Sequence, residues 1–407
     1  MRTALEIVFW LSCALIVWTQ VGYAAALAVL ARMRRQPAAR PTTAATGTHE
    51  RPGGGASGSL PDLSLIVAAH DEQAVIAEKV ANALALDYPR ERLQVIVACD
   101  GCSDATAARA REAGADLVLE LPRGGKIRAQ DAAVEQARGE IVAFSDANAQ
   151  WQPDAARVLV GAFEDPRVGY ACGQVRFVRV PAATDPAAAN EGAPNQEGVY
   201  WRYELAVRAL ESRLSSITAG NGAIYATRRE SYIVVDPIMG HDLSLPFNTV
   251  KRGLRAVYVP DARATEKMVP SLAGEFARKR RMMSHTWPIL LRGGMLSPRG
   301  YPPGYALMIL SHRVLRYCTP ALHVLALAAN VALVALGGGG WGGVLYIVTL
   351  GLQLALLLAA ALAGLLPIRP LLIARYYVLT TSSLAAGLWD WLRHGTEAIW
   401  EAAEGTR

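Results

Sequence analysis

Long apolar runs at the two ends of the chain, with a charged and patterned middle between them, restrict the fold more than any other feature. Residues 4–31 stay apolar for longer than the roughly 20 residues with which a helix crosses a bilayer. The run is also longer than the apolar region of a cleaved signal peptide, and Trp10, Trp18 and Tyr23 lie near its ends. Arg32, Arg34 and Arg35 follow directly, and the bias of basic residues toward the cytoplasmic ends of spans places the next domain inside the cell. Three more apolar segments lie at about 318–336, 343–366 and 371–389, so that residues 318–389 form a second membrane region. The first link, 337–343, is uncharged and suits the outside, whereas the second carries Arg369, with Arg375 just beyond, and suits the inside. The last segment is short and interrupted by residues 380–383, which leaves it as either a span or a re-entrant piece. Trp389, Trp391 and Trp400 fit an interfacial belt, and residues 390–407 form a tail.

Between these regions the chain has the character of a soluble insert. Its 41 basic and 35 acidic residues give a formal charge of +6, too mild for a nucleic-acid binder. Nor do the basic residues alternate with aromatics on one platform, as single-strand recognition would favour. Cysteines at 13, 99, 102, 172 and 318 make no disulfide framework, and Cys99-Asp-Gly-Cys102 lacks the second pair of a structural zinc site. Residues 36–61, rich in Pro, Gly, Ala, Ser and Thr without periodicity, read as a flexible tether.

From 62 onward apolar strands alternate with helical stretches: strands at 63–69, 93–100, 116–121 and 140–146, helices at 72–86, 104–113 and 126–138. That rhythm predicts an α/β domain over 62–268 with a doubly wound, mostly parallel sheet. Such sheets bind ligands outside the carboxyl ends of their strands. Three strands end there in acids: His70-Asp-Glu72, Asp100-Gly-Cys-Ser-Asp104, and Asp146-Ala-Asn148. Asp146 with Asn148 offers oxygens to a hard divalent cation; the plainer alternative is a cap on the helix expected at 154–164. Gly124-Gly-Lys126 at a helix start suits a diphosphate. Neither the phosphate loop G-x-x-x-x-G-K-[ST] nor a G-x-G-x-x-G after the first strand is present, which argues against those nucleotide folds.

The ordered set Ile66-Val-Ala-Ala-His-Asp-Glu72, Cys99-Asp-Gly-Cys-Ser-Asp104, Gly125-Lys126 and Phe144-Ser-Asp-Ala-Asn148 resembles the donor half of the family 2 glycosyltransferases, whose fold is called GT-A. The resemblance continues through Ala219-Gly-Asn-Gly-Ala-Ile-Tyr-Ala226, His241-Asp242 and Arg278-Lys-Arg-Arg281, over about residues 60–290. It implies that Glu72, Asp100, Lys126, Asp146, Arg278 and Arg281 bind a nucleotide sugar, and that Asp146 and Asn148 hold Mg2+ or Mn2+. It further implies that Asp242 is the catalytic base, with Gly220, Asn221, Gly222 and His241 on the acceptor side. Asn148 stands where the family's metal motif ends in Asp, Asp131 where Asn is common, and no Q-x-x-R-W accompanies Arg278–Arg281. For His241-Asp242 the plain alternative is a helix cap.

The remaining stretches read as a strand at 165–178, a loop at 182–198 and a helix at 200–214, whose Trp201 is either core or a sugar platform. Residues 270–295 suit an amphipathic helix at the membrane surface, where basic side chains meet anionic lipid or diphosphate; the alternative is a solvated basic face. The expectation is an integral protein of a bacterial plasma membrane whose cytoplasmic domain transfers sugar from a UDP-sugar to a polysaccharide or lipid-linked acceptor. A catalytically silent nucleotide-sugar-binding scaffold is the alternative. A transporter is less favoured because the last two spans offer little ionisable beyond Arg375.

Overall fold

The computed structural model describes residues 1–34, 60–178, 193–267, 272–337, 341–366 and 368–398. Nearly all of the expected tether, part of the expected loop at 182–198, and residues 399–407 of the tail lie outside the described residues.

Among the described residues eight strands form one sheet: β1 Leu63–Ala69, β2 Leu93–Asp100, β3 Leu117–Leu121, β4 Ile141–Asp146, β5 Gln150–Trp151, β6 Val168–Val178, β7 Tyr225–Arg228 and β8 Arg255–Lys267. Their order is β3-β2-β1-β4-β7-β6-β8-β5. The first four run parallel, with Ala69 opposite Cys99 and Ala68 opposite Asp146, so the acidic strand ends share one edge. β7 runs against both of its neighbours, β4 and β6.

Successive side chains on a strand point to opposite faces. Ile66, Ala68, Ile96 and Ala98 accordingly pack with Ala129 and Ala133 of the helix Lys126–Glu135. Val67 and Val97 face the other way, against Ile76 and Val80 of the helix Ile76–Leu84. β1 and β2 are buried along their whole length, which is why they read as unbroken apolar runs.

Helices begin later and end earlier than periodicity predicts. The expected 72–86 helix runs Ile76–Leu84, because residues 70–75 form the loop over the carboxyl edge, where Asp71 adopts a positive φ of 50°. The expected 104–113 helix is Thr106–Glu112, with the Thr106 N–H donated to Asp104 at 2.9 Å. In the other direction, the helix predicted from 200 starts at Ala193 and runs to Leu214, taking part of the expected loop.

Among the described residues three helices are long and apolar enough to cross a membrane, Arg2–Met33, one within Trp341–Leu362, and Arg369–His394, or four if a bent pair counts as one span. That pair, Pro303–Tyr317 and Thr319–Ala335, is bent by 63°. The first member has no counterpart in the sequence reading, which starts that segment at 318. Pro320 in the first turn after the break has no N–H to return to the preceding turn, and its ring crowds the carbonyl four residues back, which accounts for the bend. The last segment is one continuous helix of 26 residues, and Ser383 donates to the Thr380 carbonyl at 2.7 Å within it. The expected interface helix is Leu272–Leu291.

Candidate active site

The loops after β1 and β2 are tied to each other across the sheet edge. Asp71 accepts the Ser103 N–H at 2.7 Å, while Asp104 accepts that of Gln73 at 3.1 Å. Glu72 is buried beneath them, its own N–H donated to Thr106 at 2.8 Å. Asp100 ends β2 and is buried as well. Its carboxylate accepts the N–H groups of Gly124 at 2.6 Å and Gly125 at 3.0 Å, and pairs with Arg123 at 3.0 Å. Asp100 therefore shapes the glycine loop that starts the helix Lys126–Glu135, and Gly125 takes a φ of 94° that a side chain would resist.

Lys126, at the first position of that helix, pairs with Asp146 at the end of β4. The plain reading of Asp146 as a helix cap is thus not what its carboxylate does. Burial opposes the Lys126 charge, but the carboxylates of Asp146, Asp242 and Glu266 outweigh it and hold its pKa above the usual lysine value. Asp242 stands in the first turn of the helix His241–Lys251, and burial, with Asp146 adding to it, pushes its carboxyl up although Lys126 pulls the other way. Glu266, near the end of β8, is pushed up to about 7 by burial and by Asp146, against Lys126, Arg278 and Lys79. A single cavity of about 1360 Å³ is lined by Glu72, Lys126, Asp146, Asn148, Asp242 and Glu266. Arg278 and Arg281 reach it from the helix Leu272–Leu291.

The basic run on that helix divides by face. Positions three apart share a side, so Arg278 and Arg281 line the cavity together. Lys279 lines it as well and donates to the Tyr376 hydroxyl at 2.5 Å, whereas Arg280 grips Asp390 through two bonds of 2.5 and 2.6 Å. Lys279 and Arg280 thus join the helix to Arg369–His394.

In the turn expected on the acceptor side, Gly222 lies against the Lys126–Asp146 pair: a β-carbon there would stand 3.3 Å from Lys126 Nζ and 3.5 Å from Asp146 Oδ2. The Gly220 N–H donates to the Asp242 carbonyl at 2.7 Å, which fastens this turn to the helix carrying the acid. The Asn221 side chain turns inward. It donates to the Gly173 carbonyl at 2.8 Å and accepts from Ala223 and Ile224 at 3.1 and 2.9 Å, so it builds the turn and leaves the cavity to the backbone. His241 is buried between tyrosines, with Tyr225 on Nδ1 at 2.9 Å and Tyr232 on Nε2 at 3.3 Å. Burial and the Lys126 charge pull it down to about 3, so it is a neutral ring that positions Asp242's helix. Trp201 donates to the Val175 carbonyl at 2.9 Å and packs edge-on against Phe177, yet it also lines the cavity.

Two site residues stand outside every motif. Glu266 lies at the end of a strand with no signature around it. Lys79 is fully buried on the helix Ile76–Leu84, donates to the Ala149 carbonyl at 2.6 Å and so pins the turn after Asn148; burial pulls its pKa down to about 7. Each sits far along the chain from the residues it serves, and only the closed sheet unites them.

Asp146 and Asn148 offer a carboxylate and an amide oxygen, the hard donors that Mg2+ or Mn2+ takes. The Lys126 ammonium already seated on Asp146 shows that this point of the cavity favours positive charge. The donors therefore fit a divalent cation. The described residues do bring His70, Asp71 and Cys102 within 4.8 Å of one another, but at the loop edge rather than at Asp146.

A family model described as Glycosyltransferase like family 2 matches residues 61–284. The beta-monoglucosyldiacylglycerol synthase of Trichormus variabilis is 37% identical over 119 residues, 28% of this chain and 25% of that protein. An N-acetylglucosaminyltransferase of Rhizobium meliloti is 27% identical over 250 residues, 56% of this chain and 54% of that protein. The chain thus spans between about a quarter and about half of the length of these curated relatives. The solved structure of the mannosyltransferase PcManGT from Pyrobaculum calidifontis, in complex with GDP-Man and Mn2+, matches with a TM-score of 0.66 at 22% identity, over 95% of this chain and 99% of that one. At that identity the likeness is one of fold.

Proposed function

The chain belongs to the Glycosyltransferase like family 2, whose model matches more than half of its length, and from that premise we propose a membrane-bound inverting enzyme that moves a sugar from a UDP-sugar to a polysaccharide or lipid-linked acceptor. The observation that carries the reading is the coupling of Lys126, Asp146, Asp242 and Glu266 around one cavity that also reaches Tyr376 and Thr380 of the helix Arg369–His394. A volume of about 1360 Å³ exceeds the usual upper bound of roughly 1,000 Å³ for a small-molecule pocket, leaving room for donor and acceptor together.

Displacement at the anomeric carbon needs a base for the acceptor hydroxyl and countercharge for the departing diphosphate. Asp242 takes the hydroxyl proton, on the face opposite the leaving group, which inverts the configuration. Lys126, Arg278 and Arg281 hold the diphosphate, and Glu72 with the Asp100-shaped glycine loop seats the nucleoside end. Mg2+ or Mn2+ at Asp146 and Asn148 would add charge neutralisation on the diphosphate. The basic residues after the first helix support a cytoplasmic catalytic domain, and the apolar helices support an integral protein of a bacterial plasma membrane.

Asn148 in place of an acid favours one second reading, a silent nucleotide-sugar-binding scaffold. Incubating the purified full chain with a panel of labelled nucleotide sugars, with and without Mn2+, separates the two. Metal-dependent release of nucleoside diphosphate supports the enzyme, and binding without release supports the scaffold.

A further inference from the structure

Arg208, on the helix Ala193–Leu214, is a buried cation whose charge no acid answers. It is 3% exposed, and among the described residues no carboxylate lies within ion-pair distance of it. Its Nη2 donates to the Gly220 carbonyl at 3.0 Å, and its Nη1 makes only a long 3.8 Å contact to Cys172 Sγ. Nε is buried with no partner. The Cys172 thiol is pushed up by burial and stays neutral, so it is no counter-ion. The Trp201 and Tyr258 rings, 5.7 Å away, soften the charge without neutralising it. A guanidinium removed from water costs several kcal/mol unless paired.

Arg208 lines the large cavity, and its bond to the Gly220 carbonyl sets it beside the Gly220 to Gly222 turn, which lines the cavity too. Arg313 and Arg316 line the same cavity, and Glu204 pairs with both at 3.1 and 2.6 Å. Arg313 and Arg316 are thus answered by an acid, whereas Arg208 makes no ion pair among the described residues. The chain from Arg208 to the Gly220 carbonyl, and from the Gly220 N–H to the Asp242 carbonyl, puts this unpaired charge one turn from the proposed base.

We propose that the acceptor carries an anionic group, a phosphate or its ester, and that Arg208 binds it while an adjacent hydroxyl meets Asp242. The proposal rests on the glycosyl-transfer reading for the identity of the occupant as acceptor. The phosphate can belong to a lipid headgroup or to a soluble molecule, and two matched pairs of probes, each keeping a free hydroxyl, distinguish these: short-chain lysophosphatidic acid against monoacylglycerol, and glycerol 3-phosphate against glycerol.

Binding of all four to the detergent-solubilised full chain, without donor, is measured for wild type, Arg208→Gln and Arg208→Lys. The phosphate-bearing member of one pair binds about tenfold tighter or more, the scale of one charge-assisted hydrogen bond. Arg208→Gln loses that preference, and Arg208→Lys, which keeps the charge without the fork, retains part of it. Should Arg208→Gln fail to fold, the wild-type comparison and the lysine variant still decide. Equal binding within both pairs, or a preference that survives Arg208→Gln, overturns the proposal. Donor consumption, assayed separately, tests the parent reading: an Arg208-dependent anion site with no sugar transferred sinks the enzyme and leaves the site, whereas transfer to neutral acceptors alone does the reverse.

Discussion

Burial lifts the Asp242 carboxyl and Lys126 draws it down, with burial the larger of the two. A general base must be ionised to take a proton, so a raised pKa moves the acid limb of the activity profile upward. We expect kcat to fall as the pH drops through a value above the ordinary aspartate one. A profile of kcat against pH that stays flat down to the usual aspartate range would remove Asp242 as the base. Asp242→Asn is expected to lower sugar transfer by roughly 10²- to 10⁴-fold with donor binding retained, as read by nucleoside diphosphate release beside equilibrium binding. At this scale the sequence was informative where chemistry sits at strand ends: Asp100, Asp146 and Lys126 lie on the shared edge that parallel-sheet logic predicts. Arg208, Lys79 and Glu266 were not legible. Their neighbours are made by packing of segments distant in the chain, and a lone Arg, Lys or Glu in an amphipathic stretch carries no periodic mark.

Elements show a sharper contrast between pattern and geometry. Helix Leu272–Leu291 lies against Arg369–His394 closely enough that a β-carbon on Gly387 would stand 2.5 Å from Met283 Cβ and 2.8 Å from the Arg280 carbonyl. Trp287 donates to the Leu384 carbonyl at 3.0 Å along the same seam, and Arg280 clamps Asp390. Gly387→Val should therefore push the helices apart, at a cost of about 1–3 kcal/mol typical of overpacking. It would be read as a lowered thermal midpoint in detergent, with weaker nucleotide binding because Arg278 and Arg281 ride on the displaced helix. An unchanged midpoint and affinity would show that the seam has slack. Amphipathicity revealed that the basic helix existed but not that its charges divide between a cavity and a neighbouring helix, since that depends on what packs where. The 63° bend before Thr319 was likewise hidden, because the polar residues 311–313 and 316 look like a loop until their partners are seen.

Those partners fasten the whole molecule together. His312, Arg313 and Arg316 of the bent pair meet Glu204 and Glu211 of the helix Ala193–Leu214, and Tyr23 of the first helix donates to Glu211 at 2.7 Å. Thr218, two residues before Gly220, donates to Glu211 and accepts from Arg313 at 2.9 Å. The apolar helices and the sheet domain thus share one buried polar network that ends beside the Gly220 turn. Burial alone would raise the Glu204 and Glu211 carboxyls, but the charges of His312, Arg313 and Arg316 outweigh it and hold Glu204 well below the usual value of 4.5. A carboxyl depressed in the folded state contributes stability above its unfolded pKa and loses it as the pH falls through the folded one. The assembly should accordingly be firm at neutral pH and loosen only in acid below about 4.5. Replacing Glu204 by Gln leaves Arg313 and Arg316 buried beside a neutral amide, and the loss of a buried partner costs about 3–5 kcal/mol. Thermal unfolding of the detergent-solubilised variant across pH separates this network from a local contact: the variant should be weakened at pH 7 and should lose part of the wild-type acid sensitivity. If it melts like wild type at pH 7, the catalytic body is held to the apolar helices by packing alone, and the route from those helices to the Gly220 turn carries no energy.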